Sequence, residues 1–319
     1  MKSSTTEGVP LRLVATQPVQ ADVRVTSGAT ALGQDACALL AGDDDRRGAL
    51  LLARAQLTDP KFPCIAAGFS AEGFPAVVAA VIRTPGRLGM LCHRARAEAA
   101  PELIEATIRR ALVEAFSNGC ALVQCTLESP RARSGGPPHL PGMQHLATLA
   151  GMERAIRAGE SLAPAQWPLG VELQSVERAG MAALTAVIPR THLGTLDCPN
   201  LVGLRTTEDT IAGYQALGRF EPSRWAVLLR HGCPIGAALV SAVEDRSAQL
   251  IYLGLVPEGR GLGMGHLLVR ECIRAAAKVG ERFLSLTCDT ANAPALHIYR
   301  KAGFSITLQR EAFIAAARR

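Results

Sequence analysis

Four glycines fall within seven residues, at Gly259, Gly261, Gly263 and Gly265. They lie in the run Leu250-Ile-Tyr-Leu-Gly-Leu-Val-Pro-Glu-Gly-Arg-Gly-Leu-Gly-Met-Gly-His-Leu-Leu. Glycine lets backbone N–H groups turn toward a bound anion with no Cβ in the way. An apolar strand precedes this loop and ends at Pro257, and a helical period of apolar residues at 265, 268, 269, 272, 276 and 279 follows it. The start of that helix adds unpaired N–H donors and a partial positive charge. Loop and helix start together make a cradle for a pyrophosphate. A phosphate-binding Walker loop would need Gly-Lys-Ser/Thr, which is absent, and a dinucleotide fingerprint belongs in the first strand–helix–strand unit of a fold. A loop without a ligand is the plain alternative, and the density of glycine argues against it.

A second group follows about 27 residues later. In Leu284-Ser-Leu-Thr-Cys-Asp-Thr-Ala-Asn-Ala-Pro-Ala-Leu-His-Ile-Tyr-Arg-Lys-Ala-Gly-Phe304, Asn292 precedes Pro294 as a helix cap would. Tyr299 lies along the short helix that follows, with Arg300 and Lys301 in its last turn. A phenol there is either a packing ring or a proton donor.

In their order and spacing these residues resemble the GNAT superfamily of acyl-CoA N-acyltransferases. The cofactor signature Gln/Arg-x-x-Gly-x-Gly/Ala is matched by Arg260, Gly263 and Gly265, and the later one by Asn292, Tyr299, Gly303 and Phe304. The resemblance spans residues 171–316, and the tandem layout of the chain is similar to that of mycothiol synthases, although no residue selects that substrate. It implies a mixed-sheet α/β (α+β) fold and an acetyl-CoA-dependent N-acetyltransferase that uses no metal. It also implies cofactor contacts at Leu255, Val256, Arg260, Gly261, Leu262, Gly263, Met264, Gly265 and Asn292. Pyrophosphate would sit on the N–H groups of 260–265, and pantetheine would pair with the splayed end of 250–256. An N–H near Val256 would face the oxyanion. Tyr299 is the catalytic residue the resemblance implies, facing the departing sulfur. A phenol (pKa about 10) gives up its proton less readily than a thiol (about 8.5), so a hydrogen bond to the thiolate suits Tyr299 better than complete transfer.

The resemblance implies an amine acceptor, small-molecule or protein, and leaves polyamine, amino-sugar antibiotic, amino acid and protein amine open. No general base stands out: Glu244, Asp245, Asp197, His192 and Glu221 qualify by region alone, and relatives often use a water chain. The loop from Thr191 to Leu201 lies where relatives form the acceptor wall. A non-catalytic acetyl-CoA-binding sensor is the second reading, since it keeps the cradle and does not need Tyr299.

The elements that must position these groups are legible as strands at 171–177, 225–230, 234–243, 249–256, 283–288 and 304–308. Helices are expected at 178–188, from Thr206 to near Gly218, at 262–279 and at 294–302. Two prolines and two glycines between Gly159 and Gly170 mark a linker. The expected domains are 1–160, a linker at 161–170, and a catalytic domain at 171–319. The first half runs in similar order, with strands at 64–69, 75–83, 88–93 and 121–127, a helix at 101–117 and a short helix at 143–150. Setting Gln144–Met152 on Leu296–Phe304, at an offset of 152 residues, aligns His, Ala-Gly and a large apolar end, and puts Ala147 opposite Tyr299. Where the second half has its glycines, the first has Arg94-Ala-Arg-Ala-Glu-Ala-Ala100. The first half therefore reads as a degenerate copy without a cofactor loop.

Composition narrows the partners. The net charge is +6, split +2 over 1–160 (17 basic, 15 acidic) and +4 over the rest (17 and 13), with no basic block. Nucleic-acid binders concentrate their charge, and 4 % aromatics is sparse for base stacking. Nine scattered cysteines in no CxxC pair suit buried thiols in a reducing cytoplasm rather than a zinc site. The polar start of the chain and the short apolar runs give no signal peptide and no membrane span.

Overall fold

The structure, a computed structural model, describes residues 22–26, 36, 38–40, 64–71, 73–128, 139–157, 163–243 and 246–317. They form a mixed α/β fold of two compact units. One holds the described residues of Met1–Thr126, Gly135–Leu146 and Ala312–Arg319; the other holds those of Leu127–Ser134 and Ala147–Glu311. Residues 163–170 of the expected linker count with the second unit. There the Ala165 N–H donates to the Glu271 carboxylate (2.6 Å) and Arg270 donates to the Ala163 carbonyl (3.0 Å). The rest of that stretch, 158–162, lies outside the described residues, as do Glu244 and Asp245.

In the first unit β1 (Val23–Thr26), β2 (Cys64–Phe69), β3 (Pro75–Thr84) and β4 (Leu88–Ala95) form an antiparallel run. The chain then enters α1 (Pro101–Ser117) and returns as β5 (Leu122–Glu128), which lies parallel to β4. Pro101 suits the first helical turn, where no N–H is needed. Ile108, Ala111, Leu112 and Ala115 recur at helical spacing and are all buried.

The second unit is ordered β12-β6-β11-β10-β9-β8-β7. Its strands are β6 (Gln144–Ala155), β7 (Val171–Ser175), β8 (Trp225–Arg230), β9 (Cys233–Val243), β10 (Ser247–Leu255), β11 (Phe283–Asp289) and β12 (Ser305–Ala316). Its helices are α2 (Val176–Ala179), α3 (Met181–Thr191), α4 (Thr207–Gln215), α5 (Met264–Lys278) and α6 (Ala293–Lys301). The core gathers Trp225, Leu228, Leu239, Leu184, Met264, Leu268 and Leu284, all almost wholly buried. Trp225 packs edge-on against Phe220.

Three expectations change. The helix expected at 143–150 is the strand β6, antiparallel to β11 from Leu149↔Asp289 to Ala155↔Phe283. Its Leu and Ala residues favour helix locally, and strand pairing overrides that preference. Gly151 suits the strand position: a Cβ there would come within 2.9 Å of the Leu308 side chain, which would have to move aside. The alignment of Ala147 with Tyr299 falls with that helix, since one lies on a strand and the other on α6. The helix expected at 178–188 breaks at Gly180, whose φ of 83° and ψ of 153° suit glycine alone, giving α2 and α3. The last strand, expected to stop at Leu308, runs on to Ala316, with Ala312–Ala315 buried.

Candidate functional site

β10 and β11 are parallel neighbours only over Ser247–Leu250 and Phe283–Leu286. Beyond Leu250 the register of β10 against β9 shifts, leaving Ile251 as a bulge, and the pairing with β11 ends. A bulge bends its strand and raises its twist, which opens a wedge between two strands that began side by side. A cavity of about 100 Å³ occupies this wedge, lined among others by Tyr252, Leu253, Cys288, Asn292, Ile298 and Tyr299.

The glycine loop stands at the mouth of the wedge. Pro257–Gly259 makes one 3-10 turn, Arg260 is extended, and Gly261 and Gly263 have φ of 75° and 77°. Only glycine holds that conformation without strain, and a Cβ at either position would point into open space. The Arg260 N–H is taken by the Pro257 carbonyl, and those of His266 and Leu267 by the Gly263 carbonyl. The five N–H groups from Gly261 through Gly265 therefore have no partner among the described residues. They form an unbroken series at the start of a 15-residue helix. Of the residues 260–265 expected to hold the cofactor, Arg260 has its N–H engaged and 261–265 offer theirs. Leu262 is half exposed, while the Met264 side chain is fully buried and offers only its backbone.

Arg260 does not point at this cradle. Its guanidinium donates to the carbonyls of Leu255 (3.1 Å), Gly194 (2.9 Å) and Thr191 (2.8 Å). It ties the end of β10 to the end of α3 and to the loop behind it. The Val256 N–H is spent on the Ile235 carbonyl (2.9 Å). In an antiparallel ladder N–H directions alternate, so Leu253 and Leu255 direct theirs toward the side that β11 has left. An oxyanion donor is available at Leu255 rather than at Val256.

Tyr299 is nearly buried on α6, edge-on to Phe304. Burial, reinforced by the Cys288 thiol and the Asp197 carboxylate, pushes its phenol well above the usual tyrosine range. It stays protonated as a hydrogen-bond donor. Asn292 caps α6 by accepting from the Ala295 N–H (3.3 Å) while its side chain lines the cavity.

The loop after α3 is locked to the end of β11 by a reciprocal pair. Asp197 accepts the Asp289 N–H (2.9 Å), and the Asp289 carboxylate accepts the Cys198 N–H (3.2 Å) and the Ala291 N–H (2.9 Å). Asp197 sits on an open loop, but its carboxylate turns inward and lines the cavity. Burial and then Asp289 raise its pKa, against hydrogen bonds from the Asp289 N–H, Asn292 and Cys288. Burial pushes the Cys288 thiol up to about 12. Of the other bases named by region, His192 packs edge-on against Tyr252 and is pulled down by burial, and Glu221 pairs with Arg219 (2.6 Å). Sequence reasoning missed Tyr252, Tyr214 and Arg205. The Tyr252 hydroxyl is hydrogen-bonded to Thr191, its ring lies 5.2 Å from that of Tyr214, and burial lifts its phenol to about 12. Among the described residues no group of three or more His, Cys, Asp or Glu is placed to hold a metal, and no helix is long and apolar enough to cross a membrane.

Comparison with known proteins agrees with this geometry. Residues 194–304 match the acetyltransferase (GNAT) family. Among solved structures, a GCN5-related N-acetyltransferase from Sphaerobacter thermophilus is 15 % identical with a TM-score of 0.57, over 95 % of this chain and 98 % of that one. The GCN5-related glucosamine N-acetyltransferase region of a fungal multi-domain GH3 beta-N-acetylglucosaminidase is 12 % identical with a TM-score of 0.59, over 93 % of this chain and 38 % of that one. A tandem GNAT protein from the clavulanic acid biosynthesis pathway is 14 % identical with a TM-score of 0.51, over 94 % of this chain and 99 % of that one. No curated protein sequence matches significantly. The cradle, the wedge and the helix bearing Tyr299 thus fall in the segment that matches the acetyltransferase (GNAT) family, within a chain whose fold is similar to that of a tandem GNAT protein.

Proposed function

We propose that the chain is an N-acetyltransferase that moves an acetyl group from acetyl-CoA to the amine of a small-molecule or protein acceptor. The observation that carries the reading is the row of five unpartnered N–H groups at 261–265, set beside a wedge that ends at Tyr299. The row suits a pyrophosphate, because open space faces Gly261 and Gly263 and the helix start adds positive potential. The N–H groups of Leu253 and Leu255 suit a pantetheine amide and the thioester oxygen. An amine lone pair attacks the thioester carbon, the C–S bond breaks, and sulfur leaves with the electron pair. Tyr299 donates a hydrogen bond to that sulfur. The raised phenol pKa favours this role over full proton transfer. Asp197 lines the same cavity and is the carboxylate best placed to take the proton that nitrogen loses.

In this reading the partner is the amine, with no part for nucleic acid, membrane or metal. Buried free thiols such as Cys125, Cys272 and Cys288 suit the reducing cytoplasm. The test is thiol release from acetyl-CoA across a panel of amines. Release that depends on one class of amine supports the reading. Tight acetyl-CoA binding with no release on any amine replaces it with a coenzyme-binding sensor.

A further inference from the structure

Arg205 stands just before Thr206, the N-cap of α4. Its Nη1 is shut off from water and has no hydrogen-bond partner among the described residues. Burial pulls its pKa down, against the charges of Tyr214 and Asp209. Asp209 is close enough to be felt, but no ion pair joins it to Arg205 among the described residues. Its own N–H is engaged with the Thr206 hydroxyl (3.1 Å). A guanidinium N–H removed from water and left unpaired is costly, so this position calls for an oxyanion that the protein does not supply.

The neighbours connect this cation to the wedge. Tyr214, from α4, lays its ring on Tyr252, and Tyr252 lines the cavity that Tyr299 also lines. The Tyr214 hydroxyl lies in the fields of both Arg205 and Asp197. A carboxylate that lines the cavity, and a cation whose field reaches Tyr214 one ring away from it, match a molecule that carries an amine and an acid together. Such a molecule meets a guanidinium fork that can bind two oxygens at once.

We infer that Arg205 receives an anionic group of the acceptor, so that the substrate class is amines bearing a carboxylate or a phosphate. This rests on the acetyl-transfer reading and narrows it. The test measures kcat/KM for three sets of amines with the full chain and acetyl-CoA: common amino acids, the matching carboxamides, and phosphoethanolamine with ethanolamine. One anionic set should exceed its neutral counterpart by about 10–10²-fold, the range of a charge-assisted hydrogen bond. The set that does so identifies the anion. In Arg205→Met that preference should fall to within a few-fold while turnover of the neutral amine is retained, which separates a lost contact from a misfolded protein. Arg205→Lys should restore part of the preference. Equal use of acid and amide by the wild type, or a preference that survives Arg205→Met, would overturn the inference and leave acetyl transfer standing. Absence of thiol release on every amine would remove acetyl transfer itself, and this inference with it.

Discussion

The two units each contain a strand, a turn, a helix and a parallel strand, and only one of the two turns has an unbroken series of N–H groups without a partner among the described residues. In the first unit β4 pairs with β5 over Leu88–Met90 and Leu122–Gln124; in the second β10 pairs with β11 over Ser247–Leu250 and Phe283–Leu286. Both pairings are short, and both are followed by a helix of similar length. The strands differ first: β4 keeps unbroken register with β3 from Thr84↔Leu88 to Val77↔Ala95, whereas β10 bulges at Ile251. The turns differ more. In the first, the Arg96 N–H is bonded to the Ala76 carbonyl and that of Ala99 to the Arg96 carbonyl, and Pro101 has no N–H to offer. In the second, two glycines at positive φ leave five successive N–H groups free. A helix start is therefore not enough for an anion site; the residues before it must aim their N–H groups in one direction.

The largest expected effect tests that difference directly. Acetyl-CoA should saturate the wild type at one per chain in calorimetry, and Gly263→Asp should remove binding. A carboxylate there faces the pyrophosphate, and positive φ adds strain of only about 1–2 kcal/mol. Ala100→Asp, at the N-cap of α1 as Gly263 is of α5, should leave acetyl-CoA binding unchanged. Two equivalent sites per chain, or normal affinity in a folded Gly263→Asp protein, would end the contrast between the turns.

Tyr299→Phe comes next. It keeps the ring against Phe304 and deletes the hydroxyl, so acetyl-CoA affinity should hold while turnover falls by about 10²–10⁴-fold. Unchanged turnover in single-turnover measurements would return Tyr299 to a packing role.

A smaller effect separates the two arginines. Arg260 ties three carbonyls together and Arg96 bonds one, that of Pro75 (3.1 Å). Arg260→Met should cost about 2–3 kcal/mol in denaturant unfolding and weaken acetyl-CoA binding by about tenfold as the loop loosens. Arg96→Met should cost about 1 kcal/mol or less. Equal costs would show that the clamp is not what holds the cradle in place.

The smallest concerns pH. His93 in the first unit and His192 in the second are both pulled down by burial, so the fold holds them neutral. Their contribution is complete above the unfolded value of about 6.5 and is lost as pH falls below it. His192→Gln should flatten the fall in Tm between about pH 6.5 and pH 5. A slope identical to the wild type would show that folding does not shift the His192 pKa.

Sequence determined the parts of this protein whose causes are local. Positive-φ glycines, Pro257 ahead of them and the apolar period after them suffice to make the cradle, because each residue acts on its own turn. The same holds for Thr206 and Asn292, which cap α4 and α6 with their own side chains. Tertiary structure decided what depends on a distant partner. β6 is a strand because β11 supplies a ladder, although its Leu and Ala residues permit a helix. Arg260 belongs to the cofactor signature, yet its guanidinium turns to three carbonyls whose need for donors arises only when α3 and β10 meet. Arg205, Tyr214 and Tyr252 come from a loop, from α4 and from β10, and no spacing in the chain relates them. The contact of the Tyr214 ring with Tyr252 is made only in the folded protein.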